Sequence, residues 1–450
     1  MTEVVPKVKS AHVLGSDIFA GALTALVFYA EYIGYGATLG SVLLGTGATG
    51  KAIGTMMIFG AVFACSLGCF FTKGAVLAGP RAASVLALAA AVKFTSEFTD
   101  VGARTELIPL WVSTIVIISA VVQLAGLNAG VRQFFKNLPI PLTRGFIFAS
   151  AASIVAGMAE KYVAACMASN FYLTMFIFCF AVTVGVVWPL ICSRFSKMNG
   201  LRPLSLPIAA GVAWFAFEST QTQFLGASAN QCNTLGSAGF EWIALFNRWP
   251  IHLKTTNLTM EALLVPLSLA ALCGVLLGLV MLIENLTALE SLSIQKAGDA
   301  ASLSEADWSK YMVTNSVVNI GGAFFGFACS TWSTSRSVAL RQAQASGNVA
   351  AVSHGIALIA IALMATSVMA KLPVLSIGVA LTLVAIQMVD EREVRGVWAS
   401  GFDGSASSQK RQAVWWFLIV LLLYFVTKQA IVALVIGWTA YWFRKRIYAK

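Results

Sequence analysis

Apolar runs recur along the whole chain, and they limit what it can fold into. Many of them are near 20 residues long, the length of an α-helix that crosses a hydrocarbon core of about 30 Å. Charged residues make up only 11% of the chain, whereas a soluble domain carries about 25%. The sequence therefore predicts an all-α polytopic membrane protein.

The apolar runs predict fourteen membrane spans. They are 15–33, 48–70, 80–94, 107–125, 139–158, 170–193, 204–218, 263–288, 310–325, 333–345, 349–370, 372–389, 412–428 and 429–443. An even number puts both termini on one side. Basic loops and tails, with Lys7, Arg194 and Arg444 among them, place that side in the cytoplasm. The net charge of +11 thus reports orientation, and no nucleic-acid partner is expected.

The polar segment 219–262 divides the predicted spans into seven and seven. This division predicts a first repeat over 15–218 and a second over 263–443, related as an inverted repeat. The segments 1–14 and 444–450 are then cytoplasmic tails, and 219–262 is an extracytoplasmic loop. The first apolar run lacks a small-residue cleavage site, so no removable signal peptide is expected.

Two predicted spans are short and open with small or helix-starting residues. One begins at "AGPRAAS", which contains Gly79, Pro80, Arg81 and Ala82, and the other begins at "STSRS" over 333–337. They occupy the third position of each half, the arrangement that marks a transporter's binding site. Helix N-termini carry unpaired N–H groups and about half a positive charge each, so two of them together favour an anion.

The second short span adds hydroxyl donors and a permanent charge at Ser333, Thr334, Ser335, Arg336 and Ser337. Arginine inside a membrane costs several kcal/mol unless it is paired or faces water. Arg336 is predicted to support a bound anion electrostatically, or else to form a structural pair with a nearby glutamate. Trp332 lines the pocket or, as is commoner for an aromatic residue in a membrane, packs in the core.

Three carboxylates fall within predicted spans: Glu31, Glu284 and Glu290. A buried carboxylate is either partly protonated or paired with a cation. Each is therefore a candidate for coupling to H⁺ or Na⁺, or the partner of Arg81 or Arg336 in a salt bridge. The cysteines form no CxxC pair and are interpreted as small packing residues. The sequence has no nucleophile–base pair, nucleotide loop or metal set, so neither an enzyme nor a cofactor is expected.

Five segments resemble, in the same order, motifs of the SulP (sulfate permease) anion transporters. The first helix of that family is matched by "DIFAGALTALVFYAEYIGYGATLG" and its third-helix motif by "AGPRAAS". "GLNAGVRQFFKNLPIPLTRGF" resembles the link between the fourth and fifth helices, and "ESLSIQK" the eighth helix. "VNIGGAFFGFACSTWSTSRSVA" aligns without gaps to the ninth and tenth helices.

The resemblance implies a core domain, of spans one to four up to about 130 and eight to eleven up to about 370, and a gate domain of the other spans, which resume at about 138. It places an anion between the third and tenth half-helices and implies elevator-type movement, often in a homodimer. Glu31, Gly79, Pro80, Ala82, Ser335, Arg336 and Ser337 match substrate-site positions, and Glu290 matches the acidic residue of the eighth helix.

This chain departs from the family pattern at several positions. Ala30 and Cys329 replace prolines, and Trp332 replaces a small residue. Arg81 stands where the family usually has threonine or another small residue. Two arginines favour a larger or more highly charged anion, unless Glu31 balances one of them. The chain stops soon after the last predicted span, so the family's C-terminal STAS domain is expected to be absent.

The sequence therefore predicts a secondary transporter of a small anion in a lipid membrane, namely a bacterial inner membrane. Sulfate is the first substrate expected, and bicarbonate or a dicarboxylate the second, with H⁺ or Na⁺ coupling or anion exchange. A nucleobase permease of the same fold is one alternative, but an arginine in the tenth span disfavours it. An anion channel or a motor-like protein is another.

Overall fold

The computed structural model describes most of the chain between residues 11 and 443. The described ranges are 11–44, 48–98, 104–136, 163–195, 204–220, 260–296, 305–343, 345–364, 373–388, 408–427 and 439–443, with a few single residues between them. The helices in the first half are α1 (Ala11–Leu44), α2 (Ala48–Gly68), α3 (Ala82–Glu97), α4 (Arg104–Leu124), α5 (Ala129–Lys136), α6 (Ala164–Ser169), α7 (Phe171–Arg194) and α8 (Ser205–Thr220). Those in the second half are α9 (Met260–Lys296), α10 (Glu305–Phe324), α11 (Thr334–Gln342), α12 (Asn348–Met364), α13 (Val374–Met388) and α14 (Ser408–Thr427).

The helical membrane-protein class is confirmed. Among the described residues, four helical segments are long and apolar enough to cross a membrane: Gly50–Phe71, Leu107–Leu127, Phe171–Arg194 and Leu264–Leu286. The bent helix α1 makes a fifth if its two arms are one span, with a bend of 44° next to Glu31. The predicted spans 139–158 and 429–443 lie mostly outside the described residues. The count of fourteen and the inverted repeat remain predictions.

The chain divides into two compact units. Unit 1 comprises Met1–Leu124, Val187–Pro207 and Ser237–Ala370, and unit 2 comprises Ala125–Val186, Ile208–Gly236 and Lys371–Lys450. Helices α1 to α4 and α9 to α12 belong to unit 1. Unit 2 contains α5, α6, most of α7 and α8, α13 and α14.

Glycines let the helices of unit 1 pack backbone to backbone. A Cβ on Gly54 of α2 would lie 2.1 Å from the Gly36 carbonyl oxygen of α1, and one on Gly40 of α1 would lie 1.9 Å from the Gly50 carbonyl oxygen of α2. Small residues at such crossings are the usual way for membrane helices to approach closely. The packing fixes α1, which carries Glu31, against α2.

Two short strands, which were not predicted from the sequence, precede the two half-helices in unit 1. Strand β1 (Leu77–Gly79) leads into α3, and strand β2 (Thr331–Ser333) leads into α11. They pair antiparallel, with Leu77 opposite Ser333 and Gly79 opposite Thr331. The pairing satisfies backbone groups that would otherwise be unpaired away from water. It also puts the two half-helices at opposite ends of one strand pair.

In unit 2, α7, α8 and α13 meet at a glycine. A Cβ on Gly185 of α7 would lie 2.4 Å from the Leu383 side chain of α13 and 3.0 Å from Ala209 of α8. Farther along unit 2, Phe417 of α14 packs edge-on against Phe148 at 5.6 Å between ring centroids. These contacts give unit 2 its own apolar interior.

One cysteine contradicts the sequence interpretation. Cys166 of α6 is disulfide-bonded, so the prediction that the cysteines serve only as packing residues was wrong for this position. Six cysteines are free: Cys65, Cys69, Cys192 and Cys329 are buried, as expected of packing residues, whereas Cys273 is half-buried and Cys179 is exposed. Spacing in the sequence did not distinguish Cys166 from the others, because a disulfide depends on which residues the fold brings together.

Candidate functional site

The first turns of the two half-helices meet in the interior of unit 1. Arg81 is the N-cap of α3, and Ser333 is the N-cap of α11 and accepts a hydrogen bond from the Arg336 backbone N–H at 3.4 Å. The Ser337 hydroxyl donates to the Ser333 carbonyl at 2.6 Å and accepts from the Leu77 backbone N–H at 2.9 Å. A side chain of α11 thus holds strand β1 in place beside α3.

A buried ion pair occupies the centre of this region. Arg336 Nη2 lies 2.7 Å from Glu31 Oε1, and both side chains are at most 5% exposed. The same nitrogen donates to the Pro80 carbonyl at 2.5 Å. A charge-assisted contact of this length is strong, and the pairing offsets much of the cost of burying the guanidinium. The predicted structural pair of Arg336 with a glutamate is therefore observed.

Two of the three nitrogens of the Arg336 guanidinium form no hydrogen bond to a described residue. Arg336 Nε and Nη1 are buried and have no hydrogen-bond partner among the described residues. Nη1 lies against Gly79, where a Cβ would be only 2.8 Å away. Buried N–H groups of a charged side chain are costly to leave unpaired. This edge of the guanidinium is available to an acceptor that is not part of the described protein.

The second arginine has a carboxylate partner from the other half of the chain. Arg81 Nε lies 3.8 Å from Glu284 Oε1, a looser pair with 21% of the arginine side chain exposed. The other oxygen of Glu284 accepts from the Thr331 hydroxyl at 3.0 Å. The two ion pairs cross: each half-helix arginine is paired with a glutamate on a long helix, α9 or α1, of the opposite half.

Amide side chains hold strand β2 from behind. Asn285 Oδ1 accepts from the Trp332 backbone N–H at 2.8 Å, and Asn285 Nδ2 donates to Gln123 Oε1 at 2.7 Å. Asn319 Oδ1 accepts from the Ser330 backbone N–H at 2.9 Å, and Asn315 Nδ2 donates to the Ser330 carbonyl at 3.0 Å. Buried amides that are hydrogen-bonded in this way rigidify the segment that they contact, although Asn315 Oδ1 has no partner among the described residues.

Trp332 packs in the core. Its side chain is 1% exposed, its indole N–H donates to the Tyr311 carbonyl at 3.1 Å, and its ring lies edge-on to Tyr311. The alternative in which Trp332 packs, rather than lining a pocket, fits this geometry.

Four predicted site residues have side chains outside the described part of the structure. Ala82 is the first residue of α3, and Thr334 and Ser335 begin α11. Glu290 lies on α9, six positions beyond Glu284. Their backbone places the first three beside the site, but their roles remain predictions.

Sequence reasoning missed Tyr32, whose ring lies next to Arg336, and His354, which is hydrogen-bonded to Tyr32. The Arg336 guanidinium carbon lies 4.6 Å from the centroid of the Tyr32 ring, and the Tyr32 hydroxyl shares a hydrogen bond of 3.0 Å with His354 Nε2. The signal that was available is a histidine in the middle of the apolar helix α12. A lone histidine in such a helix does not by itself indicate a partner, since the three histidines of the chain are scattered in the sequence.

Fold and site together define an integral membrane protein in which two half-helices meet at a buried, charge-paired centre. No protein-family model matches the sequence, and no curated protein matches it. Solved structures do resemble it. One is the transmembrane domain of a cyanobacterial bicarbonate transporter, BicA, with a TM-score of 0.63 and 15% identity over 94% of this chain and 97% of that one.

Two further similar structures are of SLC26A9. One has a TM-score of 0.62 at 12% identity, and covers 96% of this chain and 66% of that one. The murine anion transporter Slc26a9, in the inward-facing state, has a TM-score of 0.65 at 13% identity, and covers 99% of this chain and 70% of that one. At these identities the likeness concerns the fold. For the fold, it confirms the resemblance to the SulP transporters.

Proposed function

We propose that this chain is a secondary active transporter of a small inorganic anion. The observation that carries the proposal is the Arg336 guanidinium, which is buried and permanently charged and has two nitrogens without a partner among the described residues. Charged side chains inside membrane proteins are rare and mark ligand or ion pathways. Two of the similar structures are those of a bicarbonate transporter and an anion transporter, which supports the same function.

The ion pairs bear on the charge of the anion. Arg336 and Glu31 cancel, and so do Arg81 and Glu284, so the four side chains add no net charge. The two helix N-termini contribute about half a positive charge each, or about one together. A singly charged anion such as bicarbonate balances that, whereas sulfate leaves about one negative charge uncompensated. The structure therefore supports a singly charged substrate over sulfate, the first expectation from the sequence.

We assign the core role of the proposed transporter to unit 1 and the gate role to unit 2. Support comes from the division of the chain into these units, because all described site residues fall within unit 1. Elevator-type movement and a homodimer are part of the proposal. Both termini are proposed to be cytoplasmic, in a bacterial inner membrane.

Coupling to H⁺ or Na⁺ is assigned to Glu290, with Glu284 as the second candidate. Glu284 is paired with Arg81 and Thr331, so its charge already has partners. Glu290→Gln is expected to shift the dependence of uptake on pH or Na⁺. Uptake by the Glu290→Gln variant with an unchanged pH and Na⁺ profile would remove Glu290 from this role.

The direct test is flux into proteoliposomes that contain the purified protein. Radiolabelled bicarbonate, sulfate, dicarboxylates and uracil are supplied in turn, with pH and Na⁺ varied on each side. Saturable uptake of an anion against its gradient supports the proposal. Uptake of uracil alone would indicate a nucleobase permease, and flux that neither saturates nor accumulates would indicate a channel.

Arg336→Ala and Arg194→Ala form a matched pair for this assay. Arg336 is buried in the site, whereas Arg194 is exposed in the last turn of α7. If Arg336→Ala loses uptake and Arg194→Ala keeps it, transport depends on the site.

A further inference from the structure

The Arg336 guanidinium carbon lies over an aromatic ring, that of Tyr32, whose hydroxyl is itself hydrogen-bonded. The Tyr32 ring centroid lies 4.6 Å from the guanidinium carbon, within the range of a cation–π contact. At the edge of the ring, the Tyr32 hydroxyl shares a 3.0 Å hydrogen bond with His354 Nε2. All three side chains are buried, with Tyr32 and His354 fully inaccessible to solvent.

Helices α1 and α12 bring Tyr32 and His354 together beside Arg336. Tyr32 follows Glu31 on α1, so the residue that pairs with Arg336 and the residue that supports its face are neighbours. His354 comes from α12, which packs closely on α1: a Cβ on Gly21 would lie 2.3 Å from the Ala350 carbonyl oxygen. Such close backbone packing leaves the His354 ring little freedom to move away from Tyr32.

The hydrogen bonds of Arg336 do not fix its plane, and the Phe28 ring lies farther from it than Tyr32 does, with its centroid 5.8 Å from the guanidinium carbon. Glu31 and the Pro80 carbonyl both bind Nη2. A planar group that is held through one nitrogen can still tilt about that point, whereas a ring against its face opposes the tilt. The tilt decides where Nε and Nη1, the nitrogens without a described partner, direct their N–H groups.

We propose that Tyr32 and His354 are positioning residues that orient Arg336 and thereby set the affinity of the site for its anion. This inference rests on the proposed function, because it concerns the same site. Neither residue is proposed to touch the anion. Their effect passes through the guanidinium, so it falls on affinity rather than on the maximal rate of transport.

The test is the apparent KM for uptake of radiolabelled bicarbonate, with sulfate assayed in parallel. Tyr32→Phe keeps the ring and removes the hydroxyl, and His354→Leu removes the hydrogen-bonding group. Each is expected to raise KM about fivefold, the ratio that corresponds to the loss of one net hydrogen bond. The double variant is expected to be no worse than either single variant, because both remove the same interaction.

Two further variants separate positioning from general packing. His354→Gln replaces the imidazole with an amide that can donate or accept a hydrogen bond, and its KM is expected to stay near that of the unmodified protein. Tyr29→Phe is the matched control, since the Tyr29 hydroxyl is buried on the same helix and has no hydrogen-bond partner among the described residues. Its KM is expected to stay unchanged.

The outcomes are separable. If the unmodified protein takes up neither anion, the proposed function fails. If it takes up an anion but Tyr32→Phe leaves KM unchanged, the positioning role is wrong. Fully additive effects in the double variant would also overturn it, because the two residues would then act independently. If His354→Leu does not fold, the comparison of Tyr32→Phe with Tyr29→Phe alone decides.

Discussion

Arg336 and Glu31 are 305 positions apart in the chain, and their side chains lie 2.7 Å apart inside unit 1. The pair satisfies the carboxylate and one nitrogen of the guanidinium, and it leaves two nitrogens of the same group for another acceptor. A structural ion pair and an anion site are therefore compatible roles for one arginine. The sequence presented them as alternatives.

The buried pair predicts a stability cost as well as a loss of transport. Arg336→Ala leaves the Glu31 carboxylate buried without its partner, which typically costs about 3–5 kcal/mol. Adding Glu31→Gln removes that charge, so the double variant is expected to unfold at a higher temperature than Arg336→Ala alone. Thermal unfolding in detergent measures this, and uptake is expected to be lost in both variants. Equal unfolding temperatures would show that the pair contributes no stability.

Charge balance predicts a change of selectivity. Glu284→Gln leaves the Arg81 charge uncompensated, which adds one positive charge beside the two helix N-termini. Uptake of sulfate relative to bicarbonate is expected to rise, by about tenfold for each 1.4 kcal/mol of added stabilisation. Competition between the two labelled anions measures the ratio. Glu218→Gln, at a glutamate on α8 in unit 2, is the control, and an unchanged ratio in both variants would contradict the charge argument.

A methyl group at position 79 is expected to leave the stability of the fold unchanged but to impair the anion site. The atom that an added Cβ would meet, at 2.8 Å, is Nη1 of Arg336, the end of a flexible side chain rather than backbone. Gly79→Ala is therefore expected to leave the unfolding temperature nearly unchanged and to lower uptake at low anion concentration by roughly tenfold or more. Gly321→Ala is the control, since nothing lies within 4 Å of its added Cβ. Normal uptake by Gly79→Ala would show that the position of the guanidinium is unimportant.

The amide network predicts that Asn285 stabilises strand β2. Asn285→Ala leaves the buried Trp332 N–H without its acceptor, which typically costs about 1–3 kcal/mol. A lower unfolding temperature is expected, together with faster hydrogen exchange at the Trp332 amide. Exchange that is unchanged at this amide would mean that the strand is held by other contacts.

The predicted orientation is testable by labelling. Val5→Cys and Ile447→Cys, each in a background without the exposed Cys179, are expected to react with an impermeant thiol reagent only from the cytoplasmic side. Labelling of either position from outside would reverse or break the predicted topology.

Local patterns in the sequence predicted the helical class and the positions of α3 and α11, because apolar length and the Gly–Pro or Ser–Thr openings of these two helices are local properties. The two strands could not be predicted from the sequence, because a three-residue segment is too short to show an alternation that distinguishes a strand from a turn. The sequence also could not show which glutamate pairs with which arginine. Sequence reasoning offered Arg81 and Arg336 as partners for the glutamates, but only the fold selects Glu31 for one and Glu284 for the other. His354 was missed for the same reason.

The crossed ion pairs also constrain how the protein is made. Glu31 leaves the ribosome 305 residues before Arg336, a delay of roughly 15 to 60 s at ordinary rates of synthesis. During that time Glu31 and Arg81 are present in the first half, but their final partners, Arg336 and Glu284, have not been synthesised. Assembly of unit 1 is therefore a late event of biogenesis, and the nascent first half is the form that the insertion machinery must shelter.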